Sequence, residues 1–449
     1  MPSRLPNVCP SAPTPESCER TYEVRTVTPV FGGGATAGIA DPLYPVRATA
    51  ILGSLRRWWR ATKGRKFDDV ARLREAEARI WGGAGMAAKI RVRVTLVLVA
   101  QEITRAQLTT PEFRNLNYVL FGFGLGLEGD ERGDEMPRSN SDVIGFGSLS
   151  FNLHFTVESS LVGDLEAAMW AWTNFGGLGS RTRRGCGSLY CKAFAPGDHS
   201  SPVLRQWFQD GIKEHCSPKA AKGPVSSGYV DVPPFANLQP LKPMQAWTKV
   251  IEDFAYFRQG EGLGRPTRVP NSDHPGRSYW PEADTLRART GYADLAHRRS
   301  VTVTQPTLQT LVPRSQFGLP LQIKFQAPNC IEDRKNECTI YPQGSDRMAS
   351  PLIVKPLAFG DGTYAVRIAL VSVAASTNPS ELRICFLDEH EAAKESIRAK
   401  RGPTVVAGSS DDLRYANSPV KRFVKRDGPL KAFVTYLVKD KSYQFLELQ

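Results

Sequence analysis

Long apolar runs are missing from this sequence. Nothing in it approaches the roughly 20 consecutive apolar residues that cross a bilayer as a helix, so no membrane association is expected. The N-terminus, MPSRLPNVCPSAPTPESCER, lacks the apolar stretch of a signal peptide and reads as a mobile leader, residues 1–19, on a cytoplasmic protein. Metal signatures are missing too. None of the eight cysteines forms a Cys-x-x-Cys pair, and no histidine pair completes Cys186/Cys191 or Cys330/Cys338. Reduced structural thiols and no metal are expected. There are only six histidines, none beside a nucleophile signature, and no His-Glu-x-x-His. No mononucleotide P-loop is present, and no Gly-x-Gly-x-x-Gly follows a strand. These gaps leave no cofactor, no small-molecule substrate and no catalytic constellation to be expected.

What is present is positive charge: 58 Lys and Arg against 45 Asp and Glu, a net +13. Such an excess points to a polyanionic partner, nucleic acid first among them. The basic residues also cluster. PVRATAILGSLRRWWRATKGRK contains seven Lys/Arg and no acid between Pro42 and Lys66. On a helix, Arg56, Arg60 and Lys63 share one face, with Arg47 and Arg57 nearby. Trp58 and Trp59 either pack into a core and hold the helix down, or Trp58 stacks on a base.

The second cluster is FGGLGSRTRRGCGSL, Phe175 to Leu189. Gly176, Gly177, Gly179, Gly185 and Gly187 permit close backbone approach and exposed N–H groups. Arg181, Arg183 and Arg184 supply bidentate donors to phosphate oxygens, with Ser180 among them. The combination reads as a grip on phosphates in a polynucleotide backbone. Asp41, in TAGIADPLYP, is a loop acid just before the basic helix. It reads either as a turn residue or as the single carboxylate of a metal-assisted RNA cleavage site.

Periodicity orders these motifs. TYEVRTVTPVF, KIRVRVTLVLV and SLSFNLHFTV read as strands, the last two half-buried by their alternation. ILGSLRRWWRA and LVGDLEAAMWAWTNF read as helices, the second amphipathic. With SLYCKAF as a last strand, the order is β-α-β-β-α-β, the split pattern of a ferredoxin-like α+β domain. It carries an extra helix, VARLREAEARIWGG, and an insertion at about residues 101–147 whose Gly and acid density suggests a mobile loop. The first domain is set at 20–199. A second α+β domain, 200–449, holds the helix PMQAWTKVIEDFAYFRQ, four strand-like runs and a basic tail from Arg398 to Lys431. No sequence repeat relates the halves.

TPVFGGG, ILGSLRRWWRA, EARIWGG and FGGLGSRTRRGCGSL, in this order, resemble the RAMP proteins of CRISPR effector complexes. More narrowly they resemble the family of first subunits of the type III-B Cmr complex. GRSYWPEADTLR, PRSQFGLPLQIKF and RMASPLIVKPL resemble that family's later blocks, so the resemblance spans about residues 20–360. It implies two ferredoxin-like (RAMP/RRM-like) domains in tandem, the second more degenerate. It implies crRNA, target RNA and other Cmr subunits as partners, with binding near the 3′ end of the guide. The family's loop falls on Gly176–Gly187 and its basic helix on Arg47–Arg60. Arg277 and Arg314, in the later blocks, extend the RNA track or meet a neighbouring subunit. The sequence departs from the family at Cys186, where an aromatic is usual, and at Arg57, where the tryptophan run often begins. Target cleavage in related complexes lies in a different RAMP subunit, through a loop aspartate. The resulting expectation is a non-catalytic RNA-binding subunit, with an Asp41 endoribonuclease or a structural adaptor between subunits as the alternatives.

Overall fold

The computed structural model describes residues 16–124, 139–198, 200–218, 235–264, 280, 282, 312–324, 337–342, 345–370, 381–386, 404–406 and 428–445. The first unit begins with β1 (Ser17–Thr26), the short β2 (Val30–Phe31), α1 (Ala48–Ala61), α2 (Val70–Trp81) and β3 (Ile90–Val99). An insertion follows, made of β4 (Glu102–Thr104), α3 (Pro111–Arg114), α4 (Asn117–Gly124) and β5 (Val143–Phe146). The unit closes with β6 (Leu149–Glu158), α5 (Val162–Phe175) and β7 (Leu189–Tyr190). Its main sheet is antiparallel with order β3-β6-β1-β7. That order, with α1 and α5 as the two crossovers, is the β-α-β-β-α-β arrangement expected for this half.

Strict alternation fixes the register. Leu149, Phe151, Leu153, Phe155 and Val157 of β6 are all buried, while their polar neighbours are half-buried. Val24 lies opposite Phe151 and Tyr22 opposite Leu153, so a one-residue slip would turn the apolar row to solvent. The helices pack on this row. α2 starts where Asp69 accepts the Arg72 amide at 3.0 Å and stops at Gly82, whose φ is +85°.

Three expectations need correction. α5 is not amphipathic: Leu165 and every residue from Ala167 to Phe175 are buried. One side meets the first sheet. The rest is covered by α6 (Ser201–His215), through Leu204 and Phe208, and by Ile353, Leu357, Ala365 and Ala369 of the second half. A helix enclosed on all sides carries no polar face. β3 is not half-buried along its length. It is an edge strand with a register shift between Leu96 and Leu98, and Leu96–Val99 are 40–60% exposed. The insertion is not one loop. β2, β5 and β4 form a small sheet, and Phe31, Ile103, Leu108, Phe113, Leu116, Val119, Leu120 and Phe123 give it a core. Buried Arg105 donates to the carbonyl of Phe123 and pairs with Asp142 at 3.4 Å, pinning both ends. The acidic run GLEGDERGDEM, the leader before residue 16 and most of the basic tail lie outside the described residues.

The second half contains β8 (Phe235–Leu241), α7 (Pro243–Gln259), β9 (Leu321–Lys324), β10 (Glu337–Pro342), β11 (Leu352–Ala358) and β12 (Tyr364–Leu370). It continues with β13 (Glu381–Phe386), β14 (Thr404–Val406), α8 (Gly428–Asp440) and β15 (Gln444–Phe445). One sheet runs β11-β12-β8-β15, with α7 and α8 as crossovers. Its connection pattern repeats that of the first sheet, which the unrelated sequences of the halves conceal. Strands β9, β10, β13 and β14 pair with one another in a separate sheet.

α1 is fixed to α2 by a buried carboxylate. Glu77, 3% exposed, accepts from Arg56 Nε at 2.7 Å and from Arg60 Nε and Nη2 at 2.5 and 2.7 Å. Burial disfavours the charge, but the Arg60 and Arg56 hydrogen bonds outweigh it and hold the carboxyl below its usual range. A depressed carboxyl stabilises the fold above its unfolded pKa, about 4.3, and that stability is lost as pH falls through the folded value. Glu77→Gln should therefore cost about 2 kcal/mol at pH 7, less than a fully enclosed pair because both arginines are part-exposed. Urea unfolding at pH 7 and at pH 3 checks this: the gap between wild type and variant should shrink in acid.

Candidate nucleic-acid interface

The glycine-rich segment joins α5 to β7, and its glycines answer to the protein itself. Gly187 has φ +57°, and a methyl there would lie 2.0 Å from the Leu178 carbonyl. Leu178 N–H in turn donates to Gly187 O, and Gly187 N–H to Pro29 O. Ser180 N–H donates to Phe31 O, Arg184 N–H to Arg181 O and Gly185 N–H to Thr182 O. The loop is thus stitched to the β1–β2 turn and to itself, and many of its amides are already used. Gly185 abuts the indole of Trp247, whose Nε1 donates to Arg184 O at 2.7 Å. Cys186 is fully buried in the second core, and burial pushes its thiol up to about 12. An inert, small residue suits a position wedged beneath α7.

The expectation that these glycines present open backbone to phosphate is corrected on these contacts. Gly176, Gly177, Gly185 and Gly187 are buried. Gly177 faces inward: its carbonyl accepts from Trp172 Nε1 at 3.1 Å, and a methyl on it would stand 2.8 Å from Gly187 O and 3.0 Å from the Thr182 side chain. Gly179 is the exposed member of the five, yet it too is shaped by the protein. Its φ is +80°, and a methyl on it would stand 2.7 Å from Phe31 O, so the residue lets the loop pass over β2. What the glycines admit at close range is this chain's own backbone and indoles.

The three loop arginines diverge. Arg183 donates to the carbonyl of Ser350. Arg184 donates to Leu352 O at 2.6 Å and Phe317 O at 3.1 Å, and sits 4.9 Å over the Phe254 ring. Burial brings Arg184 down to about 10. Both side chains reach across to the second half and cover the free edge of β11. Arg181 turns the other way. It is exposed, adopts the left-handed conformation (φ +54°) and lies 5.6 Å over the ring of Phe123. Partial burial is the main influence that disfavours its charge, ahead of the Cys186 thiol, which favours it, and of Arg347, which disfavours it. Arg347 is itself exposed.

The helix meets the loop at its root, where Gly176 lies against Trp58. Trp58 and Trp59 are 5% and 2% exposed; Trp58 packs on Phe175 and Trp59 Nε1 donates to Asp164 at 2.6 Å. Base stacking by Trp58 is overturned by that burial. Arg56 and Arg60 share Glu77, and Lys63 donates to Glu214 O at 2.9 Å. Arg57 is exposed beside Trp58. Arg47 pairs with Asp41 at 2.5 Å. Asp41 also accepts the amides of Leu43 and Tyr44 at 3.0 and 3.1 Å. The Arg47 contact, followed by these amides, keeps its carboxyl below the usual range. Its oxygens organise a turn. Among the described residues, no group of three or more His, Cys, Asp or Glu is placed to hold a metal, and no helix is long and apolar enough to cross a membrane. Arg314 is interior, 9% exposed and bonded through Nε to buried Glu282 at 3.1 Å. Arg277 lies outside the described residues.

The sequence that builds the first sheet and its arginine- and glycine-rich loop matches a known family over the same span. The RAMP superfamily signature covers residues 23–190, from within β1 to the end of β7. Residues 23–190 are a RAMP superfamily domain. The chain is similar to two CRISPR-system Cmr subunits of Pyrococcus furiosus. Identity to Cmr1-2 is 26% over 182 residues, 38% of this chain and 94% of the relative. Identity to Cmr1-1 is 29% over 152 residues, 32% of this chain and 40% of the relative. Among solved structures, apo Cmr1 of P. furiosus aligns with a TM-score of 0.44 and 17% identity, covering 81% of this chain and 89% of that one. A chain of type III-B Cmr-beta bound to cognate target RNA aligns with 0.45 and 11%, covering 80% and 96%.

The RAMP domain depends on residues that sequence reading did not single out. Lys355 of β11, 1% exposed, donates to Gly176 O at 2.7 Å and Thr173 O at 3.3 Å, where the last carbonyls of α5 concentrate negative potential. Trp247 closes the loop from the α7 side. Arg347 supplies the second exposed cation beside Arg181. A lysine inside a β-branched run was the available clue to the first; nothing local distinguishes Arg347 from other surface cations. Lys355→Met should lower stability by about 2 kcal/mol by stranding buried carbonyls. Gly187→Ala should cost more than about 2 kcal/mol, whereas Gly53→Ala, in open space on α1, should be neutral or stabilising. Thermal unfolding of the three variants checks the ranking.

Proposed function

We propose that this chain is an RNA-binding subunit of a type III-B CRISPR Cmr complex, acting in the cytoplasm without chemistry of its own. It holds crRNA near the 3′ end and helps to capture target RNA, alongside other Cmr subunits. The similarity to Cmr1 subunits supports the assembly, and the repeated strand order supports two ferredoxin-like RAMP domains in tandem. The packing of α6 on α5 favours extending the first of them past residue 199 to about 216.

The observation that carries RNA binding is the pair Arg181 and Arg347. Arg181 and Arg347 are exposed residues, one from each half; after its partial burial and the Cys186 thiol, Arg347 is the next influence on the Arg181 charge, and no carboxylate among the described residues pairs with Arg181. An RNA phosphate between them supplies the missing charge with bidentate geometry. Arg183 and Arg184 serve as the posts that hold Arg181 outward, and Arg47 and Arg57 extend the basic surface. No observation favours Asp41 as a nuclease residue, because its oxygens are committed to the turn and to Arg47.

Fluorescence anisotropy with a labelled RNA over a salt series tests the reading. Wild type should bind with a steep negative slope of log K against log salt. Arg181→Ala and Arg347→Ala should each weaken binding and reduce that slope by roughly 0.7, the single-strand value per phosphate contact. If the double variant binds with unchanged affinity and slope, the reading fails.

A further inference from the structure

Leu43 and Tyr44 are 83% and 67% exposed, the highest values among the large apolar side chains of the described residues. They lie side by side at the tip of the Asp41–Arg47 turn, and the tip is rigid. Asp41 Oδ1 accepts both of their amides, Oδ2 holds the Arg47 guanidinium, and Pro42 and Pro45 bracket the pair. The segment that leads into the turn runs past one loop cation, Arg181, through a shared ring. Gly38, three residues before Asp41, packs against the ring of Phe123, where a methyl would be 3.9 Å from Cδ1; the Arg181 guanidinium lies over that same ring.

An aromatic group presented to water on a pinned turn, beside the Arg47 cation, has a specific use. Stacking a base on it removes apolar surface from water on both sides, and the backbone that carries it is already ordered by the turn. The neighbouring guanidinium of Arg47, 39% exposed, retains N–H donors for the adjoining phosphate. From this juxtaposition we infer that Tyr44 is a stacking platform for an unpaired nucleobase of single-stranded RNA, with Leu43 packing against the edge of the base or its sugar. The inference rests on the RNA-binding reading above and adds a base contact to a surface otherwise built for phosphate. Stacking on a π-face is tolerant of sequence, so the platform positions a strand without selecting a base.

The test uses the full chain and two probes of equal length: a uridine 20-mer and the same sugar-phosphate backbone carrying no bases. On the uridine probe, Tyr44→Ala should bind about 10-fold more weakly, from the strength of base–aromatic stacking, with an unchanged salt slope. Tyr44→Phe should stay within about twofold and Tyr44→Trp should bind at least as tightly, which separates stacking from a role of the hydroxyl. On the abasic probe, wild type and Tyr44→Ala should be equal. Equal affinity of wild type and Tyr44→Ala for the uridine probe would sink the proposal while leaving the Arg181 and Arg347 effects intact. So would a loss that is the same on both probes. A Tyr44→Ala chain that binds RNA normally but no longer assembles with partner subunits assigns the tip to a protein contact and overturns it. Wild type that binds neither probe removes the RNA-binding reading as well. Because the side chain is exposed, all three variants should unfold at the wild-type temperature, and the Phe and Trp variants keep the test valid if alanine does not.

Discussion

The open edge of the second sheet must be satisfied, and the way it is satisfied organises everything around it. The carbonyls of Leu352, the first residue of β11, and of Ser350 just before the strand face the first half, and Arg184 and Arg183 donate to them. In the opposite direction, Lys355 of the same strand donates to the end of α5. Charge from each half is neutralised by backbone dipoles of the other. An exposed sheet edge and an uncapped helix end are both unfavourable alone, and here each supplies part of the remedy for the other.

This exchange explains why the loop needs so many glycines. The segment must pass between the β1–β2 turn, Trp247 and β11 with no room for side chains, as the 2.0 Å approach at Gly187 makes plain. A density of glycine and arginine that resembles an anion nest is, over most of its length, a seam. The chain turns outward at Gly179–Arg181, and Arg181 does so in a backbone conformation that L-residues seldom adopt without support. The uncompensated charge there is set by the seam beneath it.

How far the sequence disclosed this depended on whether the determining contacts were local. β6 was legible because each residue reports its own face, and α7 because its apolar spacing is regular. α5 misled because its second covering comes from residues nearly two hundred positions away, so its small residues looked like a thin polar stripe. KIRVRVTLVLV alternates as well as β6 does, yet ends as an exposed edge, since pattern alone does not say which strands have two neighbours. The loop and basic helix were located correctly by composition. The division of labour among their arginines was not, because it depends on Glu77, Ser350 and Leu352, none of which is nearby in sequence. The glycines misled for the same reason: Gly177 and Gly179 are shaped by Thr182, Gly187 and Phe31, and close approach by a phosphate or by the chain itself leaves one and the same sequence signal. Asp41 as a turn residue was one of two readings its neighbours allowed, and its hydrogen bonds to Leu43, Tyr44 and Arg47 show that role.

The burial of α5 on all sides has a consequence for how the molecule melts. Two sheets with separate connectivity usually behave as two cooperative units, each losing its structure at its own midpoint. Here the part of α5 that Ile353, Leu357, Ala365 and Ala369 cover is solvated as soon as the second departs, while the first sheet and α6 still cover the rest. The halves are two in topology but share a core, so separating them costs the first unit part of the covering of its central helix.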